Sequence, residues 1–299
     1  MAYLLYHILR GFTWLTHFLP LRVHYAFSDF LYFVVYHVFG YRRKVVRTNL
    51  SNAFPEKSDD ERRKIERGFY RHFCDSFIET LYFSQISPAR IKKRMKFLNP
   101  ELAEKYLDAG RQVIVSMGHH NNWEWMCSWG LHTKSEFYVV YKTLHNKSID
   151  RFYHKLRSRF NAIPLEKNKT FRQLVSDRKQ NKITAVGFLN DQTPKKNEIQ
   201  YWTTFLNQET PILLGTEKIA KKIDAVVLGA HMQKQKRGHY TLTFHLITDK
   251  PKETETFEIT EKHTRFLEQI IRDEPAYWLW SHRRWKHKRE PEQTANHTK

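Results

Sequence analysis

The chain has 299 residues, with 51 Lys and Arg against 31 Asp and Glu, a formal charge of +20. Apolar residues at 40% and aromatics at 15% exclude a disordered tail or a collagen-like rod, and the length suffices for a substantial core. Two cysteines, Cys74 and Cys127, exclude a disulfide framework and a four-ligand zinc site, and they point to a reducing compartment.

In chain order, Leu5, Ile8, Leu9, Phe12, Leu15 and Leu19 recur at helical spacing. A second apolar run from Phe30 to Tyr41 stops at Arg42, Arg43 and Lys44. Arg10, Arg22 and Asp29 interrupt these runs well short of the roughly 20 apolar residues of a membrane span. No basic residue precedes the first run and no small-residue cleavage site follows it, which argues against a signal peptide. The expectation is one or two amphipathic helices lying in a membrane interface, flanked by basic residues. A core helix pair and a tilted span over 21–41 are the alternatives.

Ser58 and Glu61 form a capping-box pattern ahead of an amphipathic helix over 61–84, with Ile65, Phe69, Phe73, Phe77 and Leu81 on its stripe. After Arg111, strands are predicted at Val113–Ser116, Phe137–Tyr141, Ala162–Leu165 and Thr184–Phe188. Helical stretches near 121–130, 148–160 and 170–180 lie between them. That alternation predicts an α/β fold with a mostly parallel sheet flanked by helices. A helix over 211–223, an antiparallel hairpin of 224–233 with 239–248, and a helix over 260–275 complete the reading. The expected divisions are a membrane-associated segment (1–45), a catalytic domain (46–288) and a disordered tail (289–299).

Directly after the first strand comes Gly118-His119-His120-Asn121-Asn122-Trp123-Glu124. In open α/β sheets, ligands bind beyond the carboxyl ends of strands, so a histidine and a carboxylate there form a candidate acid/base pair. His120 and Glu124 would meet on one face of a continuous helix. His119 and Glu124 meet only if His119 sits in the preceding loop, with Gly118 allowing the turn. The second register is preferred, because a base must face the cleft. Backbone N–H groups after Gly118 are candidate oxyanion donors.

His119, four intervening residues and Glu124 match the His-x4-Asp/Glu signature of glycerolipid acyltransferases. Further blocks occur in order: Val46-x2-Asn49-Leu50-x3-Phe54-Pro55-Glu56, Arg157-Ser158-Arg159-Phe160, Asn190-Asp191-Gln192, Phe205 to Pro211 with Gly215, and Pro275 through Trp278-Leu279-Trp280-Ser281-His282-Arg283-Arg284-Trp285. With these the chain resembles the lipid A biosynthesis (lauroyl/myristoyl) acyltransferase family over about residues 1–288. The resemblance implies a glycerolipid-acyltransferase-like fold at the cytoplasmic face of the inner membrane. It also implies transfer of a fatty acyl chain from a thioester, on acyl carrier protein or coenzyme A, to a lipid hydroxyl, most naturally on a lipid A precursor.

In that scheme His119 is the general base and Glu124 orients it. Asn122, Trp123, Arg159 and Arg283 contact substrate, with Arg159 on phosphate or the oxyanion. Asp191 holds Arg159 or binds the acceptor, and Arg284 shares the phosphate or ties the core. No cofactor or metal is expected beyond the thioester co-substrate, and the chain is expected to act as a monomer. Aminoacyl lipids and lysophospholipids are alternative acceptors. A nucleic-acid-binding protein would also suit the charge and the aromatic content. Dispersed basic residues, the absence of helix-turn-helix, zinc-finger or ribonucleoprotein patterns, and the apolar first forty residues weigh against it.

Overall fold

A computed structural model describes His7, Gly11 and residues 19–289 of the chain. The stripe from Leu5 to Leu15 and the expected tail beyond 289 lie outside the described residues. Helix α1 (Leu21–Tyr32) runs straight into a π-helical turn, Phe33–Val38. No helix among the described residues is long and apolar enough to cross a membrane. Phe30 is 67% and Phe39 77% exposed, and Phe27, Phe33, Val38 and Tyr41 are exposed beside them.

Helix α2 (Arg43–Ala53) is followed by α3 (Asp59–Phe83), the longest helix described. Its capping box is formed: the Ser58 hydroxyl accepts from the Glu61 N–H, and Glu61 accepts from the Ser58 N–H at 2.7 Å. The predicted stripe is only partly right. Phe69 and Leu81 are buried, but Phe77 is exposed, and the inward face also carries Glu66, Asp75 and Glu79. Helices α4 (Pro88–Arg94) and α5 (Glu101–Asp108) follow, then α6 (Lys147–Arg157), α7 (Lys167–Lys179), α8 (Gly215–Ile223) and α9 (Glu258–Asp273).

Seven strands form one sheet. They are β1 (Met95–Phe97), β2 (Val113–Met117), β3 (Glu136–Tyr141), β4 (Ala162–Glu166), β5 (Thr184–Leu189), β8 (Val226–Lys236) and β9 (His239–Thr248), with β6 (Trp202–Phe205) and β7 (Gln208–Pro211) forming a separate hairpin. The order is β1-β9-β8-β2-β5-β3-β4, parallel throughout except for the β8–β9 hairpin. The expected fold class is therefore observed. Residues predicted as helix over 211–214 belong instead to the end of β7 and a loop.

Side chains alternate between the two faces, as the two-residue period of a strand requires. Val113, Val115, Phe137, Ala185 and Leu228 pack toward one apolar layer, while Ile114, Tyr138, Val186 and Val227 pack toward another beneath α7, α8 and α9. A third layer joins Val46, Leu50, Phe54, Phe69, Phe205, Trp278 and Trp280. Asn49 fixes the N-terminal sequence block to the closing block by donating to the carbonyls of Trp280 (2.8 Å) and His282 (3.0 Å).

Glu79 lies at the centre of the remaining polar contacts. It accepts from Tyr25 of α1, Tyr240 of β9 and Asn122 of the loop after β2, each at 2.7 Å. Burial pushes its carboxyl upward, against the pull of those hydroxyls. The loop after β2 is thus anchored to three elements that the sequence places far from it.

Candidate active site

Strands β2 and β5 are parallel neighbours, and Met117 is registered with Leu189. Two residues beyond each lie His119 and Asp191, so their equal offset past a shared register brings them together. The Asp191 carboxylate takes the His119 ring at Nδ1, 2.6 Å from Oδ1, and the His119 backbone N–H at 2.8 Å from Oδ2. Trp278 Nε1 donates to Oδ2 at 2.8 Å. Burial opposes ionisation of Asp191, but the electrostatic pull of the His119 ring and these hydrogen bonds outweigh it and hold the carboxyl well below its usual range.

An ionised carboxylate only accepts, so Nδ1 of His119 carries the proton and Nε2 is left with its lone pair. The Gln192 amide nitrogen lies 3.1 Å from Nε2 and donates to it. Trp123 packs edge-on against the imidazole at 4.9 Å between ring centres. The His119 side chain keeps 13% exposure, against 2% for Asp191. The imidazole is thus held at both nitrogens, by Asp191 at Nδ1 and by Gln192 at Nε2, and keeps a small exposed surface.

His120, the alternative in the sequence, faces the core. It forms a bridge with Trp278, its Nε2 lies 3.1 Å from the Glu274 carbonyl, and burial pushes it down to about 4, which keeps it neutral. The choice of His119 agrees with this geometry. The predicted partner does not. Glu124 is bound instead by Arg157, whose Nε and Nη2 donate at 2.9 and 2.5 Å. Burial opposes the Arg157 charge, and Glu124 more than compensates, so its guanidinium is held above the ordinary range. The reason is local. Residues after the loop form a 3-10 helix, Trp123–Leu131, rather than an α-helix, and the Glu124 side chain is drawn toward α6.

Gly118 also has a different reason from the one expected. Its φ is not positive; a Cβ there would lie 2.7 Å from Leu267 of α9 and 3.3 Å from Asp191. It permits close approach rather than a turn. The left-handed residue is Asn121, at φ 54°, held by its amide donating to the Met232 carbonyl at 2.7 Å.

The remaining sequence candidates fall in other places. Asn122 is buried with its amide on Glu79, so it shapes the loop instead of facing a substrate. Arg159 caps the end of α3 through the carbonyls of Ser84 and Ile86, which occupies the fork expected on phosphate. Asp191 holds neither Arg159 nor a solvent-facing position; it holds His119. Arg283 is exposed, and Arg284 is fully buried with Nη2 on the Pro211 carbonyl at 2.7 Å. Two of the expected oxyanion donors are occupied, the His119 N–H by Asp191 and the Asn121 N–H by the Tyr277 carbonyl. Burial raises both thiols, Cys74 to about 12 and Cys127 further, so neither offers a thiolate.

Two of the groups around the His119–Asp191 pair, Gln192 and Trp278, carry no local signal. The Asn190-Asp191-Gln192 and Trp278–Trp285 blocks contained them, but nothing in their spacing pointed to His119. A family model described as bacterial lipid A biosynthesis acyltransferase matches residues 1–287. No curated protein matches the chain significantly.

Proposed function

The chain belongs to the bacterial lipid A biosynthesis acyltransferase family, and from that premise we propose that it moves a fatty acyl chain from a carrier-protein thioester to a hydroxyl of a lipid A precursor, with His119 as general base. The observation that carries the reading is the fixed imidazole: Nδ1 held by Asp191 at 2.6 Å, with Nε2 accepting from the Gln192 amide on a side chain that is 13% exposed.

The acceptor hydroxyl takes the place of the Gln192 amide at Nε2. As its oxygen bonds to the thioester carbonyl carbon, its proton passes to Nε2, and Asp191 stabilises the resulting imidazolium without being protonated. The tetrahedral intermediate collapses, the C–S bond breaks, and the departing thiolate takes the proton back from His119. Because a thioester is already activated, no acyl-enzyme is needed. Arg157 and Glu124 act one layer away, fixing the 3-10 helix and with it Trp123 against the imidazole.

The acceptor is tested by comparative lipid mass spectrometry of cells with and without the gene. The expected result is a lipid A species lighter by one acyl chain in the deletion, restored by the intact gene. A deficit in an aminoacyl lipid or a lysophospholipid, with lipid A unchanged, would overturn the assigned acceptor.

The exposed aromatics of α1 and the turn after it, with Arg22, Arg42 and Lys44 exposed nearby, support docking of this face on an anionic leaflet. Replacing Phe30 and Phe39 by serine is expected to lower co-sedimentation with anionic vesicles by at least several-fold. Raising salt from 0.05 to about 0.5 M is expected to weaken it further, since exposed charges are screened within ~10 Å at 0.1 M. Unchanged sedimentation would place the docking face elsewhere.

A further inference from the structure

Beneath the His119–Asp191 pair, between the sheet and α9, lies a small cavity whose polar lining is Ser116, Asn190, Asp191, His263, Thr264 and Arg284, the rest being apolar side chains such as Phe205 and Leu267. Arg284 has no exposed surface, and Nε and Nη1 of its guanidinium have no partner among the described residues; His263 Nε2 is in the same position. Burial lowers Arg284 to about 10, with the Asp191 charge pulling the other way, so it remains a cation at neutral pH. A buried cation with two unpaired donors is costly unless something in the cavity receives them.

Asp191 supplies the complement. A carboxylate offers about four acceptor sites. Three are used, by the His119 ring, the His119 N–H and Trp278 Nε1, which leaves one on Oδ1. A buried water needs two to four polar partners, and the residues lining this cavity carry the candidates: Arg284 Nε, Arg284 Nη1, His263 Nε2 and the last Asp191 site. The neighbouring carboxylate disfavours an anion there.

We infer that Arg284 is a positioning residue for the reaction: through water held in this cavity it anchors Asp191 and lowers the proton affinity of the His119–Asp191 pair. The other titratable groups that feel Asp191 are His120 and His282, each of which burial pushes down to about 4. Neither is placed to replace Arg284 in the cavity. The inference rests on His119 acting as the base.

The test is the pH profile of kcat/KM for the full-length protein, assayed with an acyl-carrier-protein thioester and a lipid A precursor. Loss of a positive charge makes the imidazolium easier to form. In Arg284→Met the acid limb is therefore expected to move up by about half a pH unit or more, with kcat reduced about tenfold. Arg284→Lys keeps the charge and is expected to keep the limb. If Arg284→Met fails to fold, Arg284→Gln removes the same charge while keeping an amide that can donate to the Pro211 carbonyl, and it is expected to shift the limb as well.

An unmoved limb in whichever of Arg284→Met and Arg284→Gln folds would overturn the inference, even with a lower kcat, because a merely structural role changes rate without changing the titration. Retained activity in His119→Ala would instead overturn the reading beneath it.

Discussion

His119→Ala is expected to lower kcat by roughly 10²–10⁴-fold, the usual contribution of a positioned general base. The fold is expected to survive, because the side chain stands at the opening of the site and not in a packed layer. His120→Gln is the matched comparison. His120 is buried, neutral and tied to the Glu274 carbonyl, so its replacement is expected to cost stability while keeping transfer within about tenfold. Equal losses in two folded variants, read by mass spectrometry of the acylated product, would contradict the assignment of the base.

Asp191→Asn is expected to be nearly as damaging, at about 10²–10⁴-fold in kcat, because an amide no longer enforces the Nδ1–H tautomer. The sign of its pH dependence follows from the depressed carboxyl. A group held below its unfolded value of about 3.9 contributes stability that is fully present above that value and lost as pH falls through the folded one. At neutral pH the wild-type protein keeps the whole contribution and the variant lacks it. Acid unfolding of Asp191→Asn is therefore expected to show a shallower dependence below about pH 4. Transfer at the wild-type rate by the folded variant would show that Asp191 does not serve His119.

Strands β2 to β5 were legible because each is a short, largely apolar run bounded by polar residues and separated from the next by a helical stretch. The edge strand Met95–Phe97 and the hairpin of β6 and β7 were not. At three and four residues, with polar members, they have no periodicity to read. The same contrast holds at the site. Gly118-His119 at a strand end is a local feature, so the candidate base is legible in the sequence. Its partner stands 72 residues away, and only the registration of Met117 with Leu189 joins them.

Glu124 seemed the partner because it was near in sequence. The 3-10 helix that carries it and the guanidinium of Arg157 were both beyond the reach of a spacing argument. Arg159 misleads for a related reason. A two-arginine block advertises charge, but whether a fork meets phosphate or a helix end depends on what is packed against it, here the carbonyls of Ser84 and Ile86.

The most direct test of the central claim, that Asp191 fixes the imidazole which takes the acceptor's proton, is nitrogen-15 NMR of the histidine rings at neutral pH, with His119 assigned by substitution. In the wild-type protein the expected result is a protonated Nδ1 and an unprotonated Nε2, lost in Asp191→Asn and kept in Glu124→Gln. A ring protonated on Nε2, or one disturbed by Glu124→Gln and indifferent to Asp191→Asn, would contradict it.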